Sequence, residues 1–173
     1  MESMIEFVHQ RIKKHKYQNG IDFTMGNGHD TLFLSDYCHH VYSYDIQSLA
    51  LNNTKELVKR KKNITLFLKS HEYFDEDVRD FEVGIFNLGY LPGGNQECVT
   101  QYETTLKTIK KALEHLVKGG CLYVVVYIGH DQGKESTNLD AYFRTLDHKL
   151  YNVAKFEMMN KKNAPYVVIV EKR

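Results

Sequence analysis

Nine residues, Asp22-Phe-Thr-Met-Gly-Asn-Gly-His-Asp30, set two glycines between two acids. A helical pattern opens near His29. Gly26 and Gly28 let the backbone turn sharply and let a ligand approach it closely. The N–H groups that open the following helix would face the same ligand. A strand, glycine turn and helix at the start of an α/β chain is where a nucleotide-like cofactor is held. A bare GxG also serves as a plain turn, so its context decides. That context is a series of polar clusters further along: Asp45 with Gln47, Ser70 with His71, Asn87 to Gly94, and His130.

The elements that must position these clusters follow from periodicity. Ile5, Val8 and Ile12 predict an amphipathic helix that stops before Asn19-Gly20. Ile21–Met25 reads as a first strand, with Leu32 and Phe33 in the helix after it. His40–Tyr44 is a second strand ending at Asp45, and Ile46, Leu49, Ala50, Leu57 and Val58 form the next helical stripe. Ile64–Leu68 and Phe81–Phe86 are the third and fourth strands. Tyr102, Leu106, Ile109, Leu113, Leu116 and Val117 make a long stripe closed by Gly119-Gly120 as a C-cap. Leu122–Ile128 is continuously apolar, as a strand covered on both faces should be. Thr137 with Asp140 resembles a capping box ahead of Leu139, Phe143, Leu146 and Leu150. Asn152–Met159 and Tyr166–Glu171 form a closing antiparallel hairpin around the turn at 160–165.

Alternating strands and helices predict an α/β fold: a single domain over 1–173, with a mostly parallel seven-stranded sheet and helices on both faces. Right-handed crossovers bring the carboxyl ends of the parallel strands to one edge, where ligands bind. Each polar cluster sits just after a strand, so five of them share that edge. They describe a site.

Composition narrows the classes. The 173 residues carry 23 basic and 22 acidic side chains, which excludes strong global attraction to nucleic acid but not a local basic surface. Cys38, Cys98 and Cys121 are far apart and read as reduced thiols. None of the nine histidines falls in a metal-ligand spacing, and His39-His40 reads as half-buried strand. No metal is expected. With no signal-like segment and no apolar run long enough for a bilayer, a cytoplasmic protein without a membrane partner is expected.

Two cofactor classes fit a glycine turn followed by an acid after the second strand: dinucleotides and S-adenosylmethionine. Asp45 could accept ribose hydroxyls in either. The dinucleotide fingerprint wants a third glycine in the opening helical turn. Asp30-Thr31 stands there instead, which makes NAD the weaker reading, and no GK[ST] phosphate loop is present.

Asp-x-Thr-x-Gly-Asn-Gly-His-Asp-Thr, Asn-Leu-Gly-Tyr-Leu-Pro-Gly-Gly, Tyr-x-Gly-His and the terminal Asn-x-x-Asn-x-Pro closely resemble the MnmM (YtqB) family. The resemblance covers essentially the whole chain, and its second block is distinctive. It implies a Rossmann-like class I methyltransferase that uses S-adenosylmethionine. The implied substrate is the aminomethyl nitrogen of 5-aminomethyl-2-thiouridine at wobble position 34, in a tRNA anticodon stem-loop. It also implies a homodimer. Ile128 departs from the family's more usual proline, and Phe23 from a small residue.

By this resemblance Gly26, Asn27 and Gly28 line the methionine end of the cofactor, with His29 and Asp30 capping the helix beside it. Asp45 takes the ribose hydroxyls, helped by Gln47, and Ser70 and His71 lie at the base. Asn87-Leu-Gly-Tyr90 occupies the place of the Asn-Pro-Pro-Tyr motif of amino-group methyltransferases, without its prolines. Asn87 would accept the amine hydrogens and aim the lone pair, while Tyr90 stacks on the uracil. Tyr127, His130 and Lys134, with Asn160, Asn163 and Tyr166, are expected to contact the RNA. Competing readings are a methyltransferase for rRNA or a small-molecule amine, and a non-catalytic S-adenosylmethionine- or RNA-binding protein.

Overall fold

A computed structural model of the chain describes residues 3–89, 102–128 and 134–173. Helix α1 (Met4–Ile12) opens on a capping box between Ser3 and Glu6. It is followed by β1 (Tyr17–Asp22), α2 (His29–Ser35), β2 (Cys38–Asp45), α3 (Ser48–Val58) and β3 (Ile64–Leu68). After a short 3-10 helix at His71–Glu76 come β4 (Phe81–Leu88), α4 (Tyr102–His115), β5 (Leu116–Val126) and α5 (Lys134–Arg144). Strands β6 (Tyr151–Phe156) and β7 (Tyr166–Lys172) close the chain. The seven strands form one sheet in the order β3-β2-β1-β4-β5-β7-β6. β7 is inserted antiparallel between β5 and β6, and the other pairings are parallel.

Side-chain alternation explains why the central strands read as unbroken apolar runs. Leu122, Val124 and Val126 of β5 face one core with Phe23, Phe86 and Leu113, while Tyr123 and Val125 face another with Val8, Ile12 and Leu34. Both faces are therefore dry, as a helix-covered sheet requires. Phe23, the departure from a small residue, is fully buried and stacks on Phe86 with ring centroids 4.2 Å apart.

Four readings from the sequence are corrected. Asn19-Gly20 does not stop α1; it lies inside β1, which begins at Tyr17. Gly20 is there because a Cβ would stand 2.5 Å from Cys38 Sγ on the neighbouring strand. Leu116 and Val117 belong to β5, not α4, and Gly119 (φ 79°) sits at an irregularity in the β4–β5 pairing, not at a helix cap. The buried stripe of α3 is Ala50, Thr54 and Val58, whereas Ile46 is 58% exposed and Leu49 and Leu57 also face out. Thr137 lies within α5 and not ahead of it.

The pairing fixes where the ligand edge is. Asp22 pairs beside Ser43 and Ile85, Asp45 beside Leu68, and Asn87 beside Val125, all at the carboxyl ends of parallel strands. Val126 pairs with Tyr166, so the connection from β6 to β7 rises from the same edge.

Candidate active site

Asp22 ends β1 with no accessible surface. It accepts hydrogen bonds from the Thr24 N–H (3.1 Å) and the Thr31 hydroxyl (2.6 Å). Thr31 has one hydroxyl proton and gives it to Asp22, so Ser43, at 2.7 Å, donates to Thr31. This chain of contacts ties β1, α2 and β2 together beneath the glycine turn. Burial pushes the Asp22 carboxyl up to about 7, and the charge of Asp30 adds to that, against the two hydrogen bonds.

A stability prediction follows. An ordinary carboxylate titrates near ~3.9. Between there and about 7 the folded state binds more protons than the unfolded chain, so stability falls as pH rises through this window. Asp22→Asn should flatten that fall. Urea midpoints of the two proteins at about pH 5 and about pH 8 check it; equal drops would contradict it.

The glycine turn is fastened from three sides. Asp45 accepts the Gly26 N–H (3.0 Å) on one carboxylate oxygen and the Gln47 N–H (2.9 Å) on the other. Thr54 donates to the Gly26 carbonyl (3.2 Å), and the Asn53 amide to Asn27 Oδ1 (2.9 Å). Gly28 sits at φ 83°, where a Cβ would also meet Thr54 at 2.6–2.9 Å, so both conformation and space demand glycine. Each Asp45 oxygen keeps lone-pair capacity for a further donor such as a ribose hydroxyl. Desolvation raises the Asp45 pKa, and the backbone N–H groups hold it back.

Beyond β3, Ser70 accepts the Glu72 N–H and so caps the 3-10 helix. His71 is nearly buried, with Nδ1 2.9 Å from the Phe23 carbonyl. A carbonyl only accepts, so Nδ1 carries the proton. Burial lowers the pKa of this ring and keeps it neutral. Its Nε2 is then an acceptor, buried and without a hydrogen-bond partner among the described residues.

Asn87 is the last residue but one of β4, inside the strand and not after it. Its backbone N–H donates to Thr24 Oγ1 (2.8 Å), and its side-chain Nδ2 to Asp30 Oδ2 (3.1 Å). Its Oδ1 is buried and meets no hydrogen-bond partner among the described residues. The other Asp30 oxygen lies 2.7 Å from His9 Nε2, and the His9 ring stacks on Phe33 at 3.7 Å. Tyr127 is 37% exposed, and its ring packs against Gly89 just past Asn87. Burial raises its phenol pKa, with the Asp30 charge second.

Asp30 therefore stands on Asn87 and His9, not merely at a helix cap, while His29 beside it is exposed. Asn27 and Gln47 are half-buried at the turn, and Asn160 and Asn163 are exposed on the β6–β7 connection. Tyr166 is a correction. It is 2% exposed, donates to the Ser136 carbonyl (3.2 Å), and carries the Lys155 ammonium 3.9 Å over its ring, so it cannot stack on a base. Tyr90, His130 and the side chain of Lys134 lie outside the described residues. Sequence reasoning gave no role to Asp22, although an acid between Ile21 and Phe23 in a predicted strand is a signal for a buried carboxyl. It gave none to His9 either, for a lone histidine on an amphipathic helix carries no signal.

Asp30 and Asp45 make this edge negative, and both raise the Asp22 pKa. Such a field suits a cationic ligand and opposes a pyrophosphate. Among the described residues no cluster of three or more His, Cys, Asp or Glu could hold a metal, and no helix is long and apolar enough to cross a membrane.

A family model described as "Putative rRNA methylase" matches residues 41–172. An Arabidopsis thaliana protein named tRNA (mnm(5)s(2)U34)-methyltransferase, chloroplastic, is 37% identical over 171 residues, covering 88% of this chain. The chain spans 62% of that relative's length. Among solved structures, a protein from Clostridium thermocellum described as a putative rRNA-methylase superposes with TM-score 0.94 at 32% identity, covering 100% of this chain and 99% of its own. A Streptococcus mutans protein described as a putative methyltransferase, solved in complex with SAH, gives 0.92 at 35% identity, with the same coverage.

Proposed function

This chain belongs to the rRNA methylase family whose model it matches, and from that premise we propose that it is an S-adenosylmethionine-dependent tRNA methyltransferase. Its substrate would be the aminomethyl nitrogen of 5-aminomethyl-2-thiouridine at wobble position 34, converted to the methylaminomethyl form. The observation that carries this reading is the Asn87 amide, whose oxygen is buried without a hydrogen-bond partner among the described residues while its nitrogen donates to Asp30. A buried acceptor of this kind calls for a hydrogen-bond donor, and an alkyl amine supplies one. The name of the Arabidopsis relative supports the substrate, and the SAH complex of the Streptococcus mutans protein supports the cofactor.

The residues fit the cofactor. Gly26, Asn27 and Gly28 would hold its methionine end, with Asp45 and Gln47 at the ribose and Ser70 and His71 at the base. His71 Nε2, without a hydrogen-bond partner among the described residues, matches an exocyclic amino group. When bound, the cofactor supplies a methyl group on a positively charged sulfur, and that charge suits the carboxylates of Asp30 and Asp45.

What the chain does is orient. A primary alkyl amine is mostly protonated at neutral pH and must be neutral to react. Asn87 Oδ1 accepts one amine hydrogen and thereby aims the nitrogen lone pair, so most of the rate would come from alignment. Tyr90 is assigned to stacking on the uracil and Tyr127 to the wall beside Asn87. Anticodon loops are read by stacking on splayed bases and by phosphate contacts. Exposed Asn160, Lys161, Lys162 and Asn163 at the same sheet edge suit the second. His130 and Lys134 are assigned there as well. A cytoplasmic homodimer would combine the basic residues of two subunits.

The test uses purified protein and tRNA from a strain lacking it. Methyl transfer is expected there and absent on transcripts without the aminomethyl group. Efficient methylation of unmodified transcript, of rRNA alone or of a free amine would overturn the substrate.

A further inference from the structure

We infer that Asp30 and His9 are positioning residues that make Asn87 an acceptor toward the amine, a role that rests on the function proposed above. An ionised carboxylate only accepts hydrogen bonds. Asp30 Oδ2 therefore takes the NH2 of the Asn87 amide (3.1 Å), and the amide oxygen must face the other way. Without that partner the amide is free to turn over. Its NH2 would then point at the amine and draw the lone pair into a hydrogen bond, away from the methyl carbon.

His9 completes the arrangement. Its Nε2 lies 2.7 Å from Asp30 Oδ1, so each carboxylate oxygen has its own donor. The carboxylate is thereby held in place and its charge is partly masked. A bare carboxylate beside the reaction centre would instead favour the protonated, unreactive amine. The His9 ring is fixed by stacking on Phe33 at 3.7 Å and 6°. Helix α1 packs on the sheet through Met4, Val8 and Ile12, and His9 is the residue it sends to the strand edge. The other groups that sense this pair are Glu6 on α1, Asp22 at the end of β1 and Tyr127 after β5. His29 precedes Asp30 on α2. Only His9 and Asn87 donate to the Asp30 carboxylate among the described residues.

Two substitutions separate the hydrogen bond from the packing. His9→Phe keeps a ring against Phe33 and loses the N–H donor, while His9→Gln keeps a donor and loses the ring. Rates are measured with S-adenosylmethionine and aminomethyl-bearing tRNA saturating, and cofactor affinity by calorimetry confirms that both variants are folded. His9→Phe should lower kcat about tenfold at neutral pH with KM for tRNA little changed, since one charge-assisted hydrogen bond is lost. Its deficit should shrink as pH rises and the amine deprotonates in any case. His9→Gln should recover most of the rate.

The reverse order, with Phe active and Gln slow, would show that the ring matters and not the donor, and would overturn the inference. So would equal losses in both variants at every pH, or none in either. An active parent with unaffected variants sinks only the inference, whereas a parent that methylates no aminomethyl uridine sinks the function with it.

Discussion

Asn87→Ala is expected to slow methyl transfer about a hundredfold to a thousandfold at saturating cofactor and tRNA, with a smaller effect on tRNA binding. The lost hydrogen bond and the lost alignment of the lone pair together correspond to ~3–4 kcal/mol of transition-state stabilisation. The effect falls on kcat because the interaction matters most in the reactive geometry. Asn87→Asp is the sharper variant. It removes the N–H from Asp30 Oδ2 and sets a second carboxylate against it. The added negative charge favours the ammonium form of the substrate. Activity of this variant should therefore climb as pH rises through the amine's pKa, while the alanine variant stays slow. Single-turnover rates across pH check both. Parent rates in both variants would reduce Asn87 to a strand-end residue.

Asp45→Ala should weaken S-adenosylmethionine roughly tenfold to a thousandfold. One or two charge-assisted hydrogen bonds to the ribose would go, each worth ~1.5–3 kcal/mol. The structure adds a second cost, since the Gly26 and Gln47 N–H groups lose their shared acceptor and the glycine turn loosens. Asp45→Asn retains one acceptor oxygen and should fall between parent and alanine. Calorimetry gives all three affinities. Tight NAD binding with no response to S-adenosylmethionine would contradict the cofactor assignment.

Much of the site was legible because its residues lie where periodicity changes. The β-rich run ending at Asp45 and the strand pattern ending just before Asn87 marked strand ends, and parallel topology sends those ends to one edge. Glycine was read less well, because one residue type serves several needs. Gly26 and Gly28 make a turn, but Gly20 relieves contact with Cys38 inside a strand, and Gly119 marks a strand irregularity. Leu116 and Val117 continue the helical spacing of α4 yet belong to β5, where Leu116 pairs with Phe81, since local pattern does not register a neighbouring strand. Tyr166 was expected to contact the RNA from the closing hairpin, but antiparallel pairing with Val126 draws it into the core. His9 was out of reach of any local reading. Its partner is 21 residues away, and only the docking of α1 brings the two to 2.7 Å.

The central claim is tested most directly by mass spectrometry of tRNA nucleosides from cells with and without this protein. Loss of the protein should abolish 5-methylaminomethyl-2-thiouridine and leave 5-aminomethyl-2-thiouridine in its place. The parent gene should restore the methylated nucleoside, and the Asn87→Ala variant should restore little of it. An unchanged nucleoside profile in cells lacking the protein would contradict the account.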